Sequence, residues 1–190
     1  AHSRAIVETT NEPMAQKPMC LPEDVRRFIL LPAYARKNYA HLVQMQDTFV
    51  SISGQAGWNT YTKGSCPTKG IVTTGIAYNY LMENYQPQMG YSILKVVQYP
   101  LPVDMIQQMV ADGVQEILVM EEGQPVVEEM IRGMVPSTIA IKGRLTGALP
   151  RMGELTPDSV ADSLQLTVEN GERRVPEIVV GRPPALCQGC

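Results

Sequence analysis

KGIVTTGIAYNYLMENYQPQMGYSILKVVQYPLP, residues 69–102, sets the reading of the whole chain. Ile71-Val72-Thr73-Thr74 is a short β-branched run, suited to a strand buried on both faces. Gly75 follows at once, where a strand has to turn sharply into a helix. Tyr78, Leu81, Met82 and Tyr85 then recur at helical spacing, and Pro87 and Gly90 close that helix. Residues 92–97 are a second apolar run. Strand, crossover helix and strand predict a βαβ unit with parallel strands.

The alternation continues downstream. Pro102 opens a helix with Val103, Ile106, Met109 and Val110 on one face, and Gly113 caps it. Residues 117–120 are a third strand. After Glu121-Glu122-Gly123 comes a stripe of Val126, Val127, Met130, Ile131 and Met134. Glu128 and Glu129 fall off that stripe, so Glu128→Ala is expected to cost under about 0.5 kcal/mol. Residues 137–141 are a fourth strand. Residues 143–156 read as a loop, with Lys142-Gly143-Arg144 solvated. Thr156 is a good N-cap and Pro157 fits N1 of a last helix carrying Val160, Leu164 and Val168. Residues 177–180 read as a further strand, and Pro183-Pro184 as a linker. The expected fold is α/β: three layers, α/β/α, around a mostly parallel sheet.

Upstream lies a helical arm. Residues 9–21 are polar, Pro-containing linker. Pro22 fits N1 of a first helix whose apolar face is Val25, Phe28 and Ile29, and Pro32 interrupts it. A second helix from near Ala33 carries Tyr39, Leu42, Val43, Phe49 and Val50, with Arg36 and Lys37 outside the stripe. Six of these, Phe28, Ile29, Leu42, Val43, Phe49 and Val50, represent roughly 9–18 kcal/mol of burial before entropy is subtracted. The arm is therefore expected to pack on the α/β core of this chain or on a second copy, as a homodimer. Residues 58–62 fit an edge strand ahead of the core.

Composition narrows the functional classes. The 190 residues are 44% apolar with a net charge of −3, enough for a core and without a block of like charges. That argues against a nucleic-acid or anionic-membrane surface. No apolar run approaches the roughly 18 residues of a membrane span. Four scattered cysteines do not make a disulfide framework and favour a reduced, cytoplasmic setting.

Chemistry-bearing motifs are few. Cys187-Gln188-Gly189-Cys190 has metal-ligand or redox spacing, but a zinc or iron–sulfur site wants four ligands. Cys20 and Cys66 show no paired spacing to supply the rest. Cys187 and Cys190 are thus weak metal candidates, and no metal or cofactor is assigned within the chain. No Gly-x-Ser-x-Gly elbow occurs, and no catalytic residue is assigned. His2 reads as part of a frayed end and His41 as a surface helical histidine. Thr74-Gly75, Tyr99-Pro100 and Glu121-Glu122 follow the three strands, and strand C-terminal ends are where open α/β sheets bind ligands. These six are the candidate interface or active-site-facing residues. Their alternative role is turn chemistry and solvated carboxylates.

GIVTTGIAYNYLMEN, YPLP and EEGQPVVEE, together with AHSRAIVE, GRLTGALPRMGELTPD and RPPALCQGC, resemble the alpha subunits of indolepyruvate:ferredoxin oxidoreductases. These belong to the thiamine-diphosphate (TPP)-dependent 2-oxoacid:ferredoxin oxidoreductase superfamily. The resemblance touches most of the chain and implies a middle domain similar to the transketolase C-terminal domain. It implies residues 1–8 as the tail of a pyrimidine-binding domain and 9–53 as linker and arm. Residues 54–181 would be the α/β domain, and 182–190 the entry to a pyrophosphate-binding domain. It implies a parent that decarboxylates aryl pyruvates to acyl-CoA with TPP, Mg²⁺ and iron–sulfur clusters. The implied partners are other domains of the subunit, a beta subunit, ferredoxin and CoA. Ala111-Asp112-Gly113 departs from the Gly-Asp-Gly of the pyrophosphate site. The chain alone is therefore expected to be inactive, a structural and interface module. The alternative is an interaction domain of another TPP-dependent ketoacid dehydrogenase or transketolase-like protein.

Overall fold

The computed structural model of the chain describes Pro13 and residues 15–167. The first eight residues, Val168, the strand expected at 177–180, and Cys187 and Cys190 lie outside the described residues. Five strands form one sheet: β1 (Thr60–Thr62), β2 (Lys69–Thr74), β3 (Ser92–Val96), β4 (Glu116–Met120) and β5 (Ala140–Lys142). Their spatial order is β1-β3-β2-β4-β5. β2 runs parallel to both β3 and β4, and β4 parallel to β5. Among the described residues β1 alone is antiparallel, pairing Tyr61 with Leu94 at the edge. The four strands expected to be parallel are so, and the edge strand near residues 58–62 is present.

Successive strand residues point to opposite faces. Val72, Leu94, Val96, Ile117 and Val119 therefore enter one core, and Ile71, Ile93, Leu118 and Met120 the other. Helices α4 (Val103–Ala111) and α5 (Val126–Arg132) cover the first face with Ile106, Met109, Val127 and Ile131. Helices α3 (Ile76–Asn84) and α6 (Pro157–Ser163) cover the second with Ala77, Leu81, Val160 and Leu164. Both faces of the central strands are dry, which is why they read as unbroken β-branched runs. α6 starts as its sequence indicates: Thr156 accepts from the Ser159 amide while Ser159 reaches back, a reciprocal capping box.

Two stripes need correction. On α3 the buried positions are Ala77 and Leu81, while Met82 faces outward. Tyr78 lies under the Lys95 ammonium, 4.2 Å from its ring centre. On α5 the inward face is Val127 and Ile131, and Val126 and Met130 are exposed. Glu128, expected off the stripe and solvated, is fully buried. The helix is rotated from its expected setting because its first turn is fastened to Glu121, as described below. Arg144 was expected in a solvated loop and is 2% exposed.

The arm also differs in detail. Its first helix is a single 3-10 turn, Val25–Phe28, capped by Asp24 rather than opened at Pro22. α1 (Pro32–Gln44) begins with Pro32 at its first turn, and α2 (Gln46–Gln55) follows after Met45. α2 packs on α4. The expected burial of the arm's apolar stripe on its own core does not occur: Phe28, Leu42, Val43 and Val50 remain exposed. Ser53 is the one arm residue in α1 and α2 that is buried.

The two registers of α5 give a direct test. Val127→Asp places an unpartnered carboxylate in the core and should cost about 3 kcal/mol or more. Val126→Asp, on the outer face, should cost under about 0.5 kcal/mol in dilute solution. Urea denaturation of both variants measures this, and equal losses would contradict the observed helix rotation.

Candidate functional site

Three parallel strands end side by side, and each end is fixed by a different device. β2 ends at Thr74, and Gly75 turns the chain into α3 with φ 55 and ψ −136. Only a residue without Cβ takes that conformation cheaply. β3 ends at Val96 and enters a loop with a cis Tyr99–Pro100 bond. Buried Asn59 holds that loop: its Oδ1 accepts from the amides of Val97 (2.7 Å) and Gln98 (2.9 Å). Its Nδ2 donates to the Gln98 carbonyl at 3.0 Å and to Ser53 O at 3.1 Å. The Ser53 hydroxyl lies against the carbonyls of Gln98 and Pro100. The end of the arm is thereby tied to the loop that carries Tyr99.

β4 ends at Met120, and Glu121 follows, 4% exposed. Its carboxylate accepts from the amides of Val127 at 2.9 Å and Glu128 at 2.8 Å. These are the orphan donors of the first turn of α5, so Glu121 acts as a side-chain cap from outside the helix. The Glu121 carbonyl in turn accepts from Arg144 Nε at 3.0 Å, and the same guanidinium donates to Gly153 O at 2.9 Å. Glu122 Oε1 accepts from the Leu155 amide at 3.0 Å. Glu128 pairs with Arg132 at 2.8 Å and accepts from the Leu145 amide at 3.0 Å. A Cβ at Gly143 would stand 2.5 Å from that carboxylate, so a side chain there would have to displace Glu128 from its bonds.

The six residues singled out from the sequence divide accordingly. Thr74, Tyr99 and Glu121 share one neighbourhood. Burial pushes the Tyr99 phenol up, as does the nearby Glu121 charge, while the Thr74 hydroxyl pulls it down. Gly75 and Pro100 shape the two turns, and Glu122 braces the 143–155 loop. Burial likewise raises the Glu121 carboxyl, over the opposing pull of the Glu128 and Val127 amides; the Glu128 charge adds to the rise and Arg144 opposes it. Sequence reasoning missed Asn59, Ser53, Glu128 and Arg144. The usable signal was Glu121-Glu122 placed just ahead of Gly123 and Pro125, a carboxylate positioned before a helix start.

The strand ends offer little for a diphosphate–metal group. Glu121 and Glu122 already accept the chain's own amides, and no cluster of three His, Cys, Asp or Glu suited to a metal occurs among the described residues. These residues do not fit a TPP–Mg²⁺ site. A concavity of about 400 Å³ lies away from this edge, lined by Lys69, Glu116, Lys142 and the end of α6. Lys142 and Glu116 pair across it at 2.7 Å. No helix among the described residues is long and apolar enough to cross a membrane.

The architecture is that of an open, three-layer α/β domain with a largely parallel sheet and an ordered carboxyl edge, consistent with the transketolase C-terminal-like class. Within that class, the chain is similar over its whole length to the indolepyruvate oxidoreductase subunit IorA of Methanothermobacter thermautotrophicus. The identity is 28%, covering all of this chain and 32% of the relative. The corresponding subunit of Methanothermobacter marburgensis is 27% identical with the same coverage. That of Thermococcus kodakarensis is 26% identical over 88% of this chain and 28% of the relative. This is the family that the sequence motifs resemble. The chain spans about a third of the length of these curated relatives. No family model matches the chain, and no solved structure does.

The raised Glu121 carboxyl carries a signed pH dependence. A carboxyl whose folded pKa lies above its unfolded value contributes stability that is full below the unfolded pKa and lost as pH rises through the folded one. Wild-type stability should therefore gain more between pH 7 and pH 5 than that of Glu121→Gln, as read by urea denaturation at the two pH values. Identical pH increments in the two proteins would show that Glu121 titrates normally.

Proposed function

We propose that this chain is the α/β module of an indolepyruvate oxidoreductase subunit and that it contributes structure and interface rather than chemistry. The observation that carries the reading is the collinear similarity, which covers the chain from end to end and about a third of each relative. In this reading residues 54–181 form the module and 9–53 its linker and arm. Residues 1–8 and 182–190 lead to neighbouring domains. TPP, Mg²⁺ and iron–sulfur clusters belong to other parts of the longer polypeptide, with CoA, ferredoxin and a beta subunit as its partners in the cytoplasm. When bound there, TPP supplies the carbanion stabilisation that decarboxylation of an aryl pyruvate needs.

The module's own contribution is positional. Thr74, Gly75, Tyr99, Pro100, Glu121 and Glu122 present a fixed edge to the cofactor-bearing domains, and catalysis rewards such fixed placement. The internal use of the carboxylates supports this: groups already holding backbone amides serve a rigid surface better than they serve proton transfer.

Two arms test the proposal. The 190-residue chain, given TPP, Mg²⁺, CoA, ferredoxin and indolepyruvate, should show no turnover and no micromolar TPP binding by calorimetry. Grafted in place of the matching third of the M. thermautotrophicus relative, it should support indolepyruvate oxidation within about tenfold of the relative, a loss of about 1.4 kcal/mol in transition-state terms. Turnover by the isolated chain would contradict the non-catalytic role. A folded but inactive graft would contradict the assignment to this enzyme.

A further inference from the structure

Two exposed apolar stripes on this chain have opposite flanking charge. The first is on α1, where Tyr39, Leu42 and Val43 are 68%, 47% and 52% exposed. Arg36 stands one turn before Tyr39 on the same side at 100° per residue. The opposite side of α1 is already used: Tyr34, Lys37, Asn38 and His41 line a cleft against the 3-10 turn, and Asn38 donates to the Arg27 carbonyl at 3.1 Å. α1 contains no carboxylate. The second stripe is the outer face of α5, where Val126 and Met130 are 52% and 39% exposed. Glu129 lies beside them, and Gly133 continues the same side with no Cβ to hold a neighbour away. Neither Arg36 nor Glu129 has an ion-pair partner among the described residues.

We propose that α1 of one copy docks on the outer face of α5 of a second copy, seating Tyr39, Leu42 and Val43 on Val126 and Met130 and pairing Arg36 with Glu129. The proposal stands independently of the oxidoreductase reading. Both stripes remain exposed among the described residues of one chain, which leaves each with apolar surface for a partner. Arg36 and Glu129 differ in sign, so the two stripes can pair through them, whereas two α1 stripes brought together would set Arg36 against Arg36. A two-fold pair makes the contact twice, which doubles a helix–helix interface that is small when made once. A basic-flanked stripe meeting an acidic-flanked one also sets which helix pairs with which, since like charges brought together are unfavourable.

The test is charge reversal with rescue. Sedimentation equilibrium of the full 190-residue chain from low micromolar to several hundred micromolar should show a reversible monomer–dimer equilibrium. Arg36→Glu and Glu129→Arg should each weaken the dimer about tenfold. The double variant Arg36→Glu/Glu129→Arg should return to within about threefold of wild type. Both sites are on the surface, and unchanged far-UV circular dichroism of the single variants separates loss of pairing from loss of fold. Leu42→Asp, which leaves the charges in place, should abolish the dimer. A chain monomeric at every concentration, a dimer indifferent to the single reversals, or a double variant as weak as the singles would each overturn the proposal.

Discussion

The buried carboxylate of Glu128 is the constraint on which the carboxyl edge of this sheet depends. It sits inside the protein with Arg132 on one oxygen and the Leu145 amide on the other. Removing a charge from water is costly unless its lone pairs are occupied, and here they are. Once Glu128 faces inward, α5 has a fixed rotation, with Val127 and Ile131 on the sheet and Val126 and Met130 outside. The chain leaving β5 then has a fixed path, because Gly143 must pass against the carboxylate. Arg144 follows, bonding the Glu121 and Gly153 carbonyls and closing the 143–155 loop on the end of β4. That loop delivers Leu149 and Leu155 to the second core. One charged group thus links helix orientation, loop path and core packing.

A second polar anchor works at the other end of the same edge. Asn59 takes both its acceptor and donor capacity to backbone groups and to Ser53. Buried polar networks of this kind specify one arrangement when every member is satisfied. Here the result is that the arm's last turn and the Tyr99 loop are joined by direct hydrogen bonds. The arm beyond that turn is left with its apolar stripe in solvent, a condition that favours a partner surface over isolation.

The sheet was legible in the sequence because burial on both faces leaves a simple signal. Ile71-Val72-Thr73 and Ile117-Leu118-Val119 are continuous apolar or β-branched runs, and Gly75 marks the turn that only glycine makes easily. Thr156-Pro157 marked the last helix by the same kind of local rule. The rotation of α5 was not legible. Its seven residues offer apolar side chains on two sides, and periodicity alone ranks Val126 beside Val127 and Met130 beside Ile131. The deciding group, Glu128, looks solvent-facing by residue type, and the Leu145 amide that satisfies it lies 17 residues further along the chain. Asn59 was silent for a related reason: its partners lie up to 39 residues away, and nothing local distinguishes it from an ordinary turn asparagine.

The placement of Glu128 is tested most directly by comparing the unfolding free energies of Glu128→Ala and Glu129→Ala in urea. The buried carboxylate predicts a loss of about 2–4 kcal/mol for Glu128→Ala, from an orphaned amide, a lost ion pair and a cavity. It predicts a change under about 0.5 kcal/mol for the exposed neighbour in dilute solution. Equal, small losses for the two would mean that Glu128 is solvated and that the carboxyl edge is held by something else.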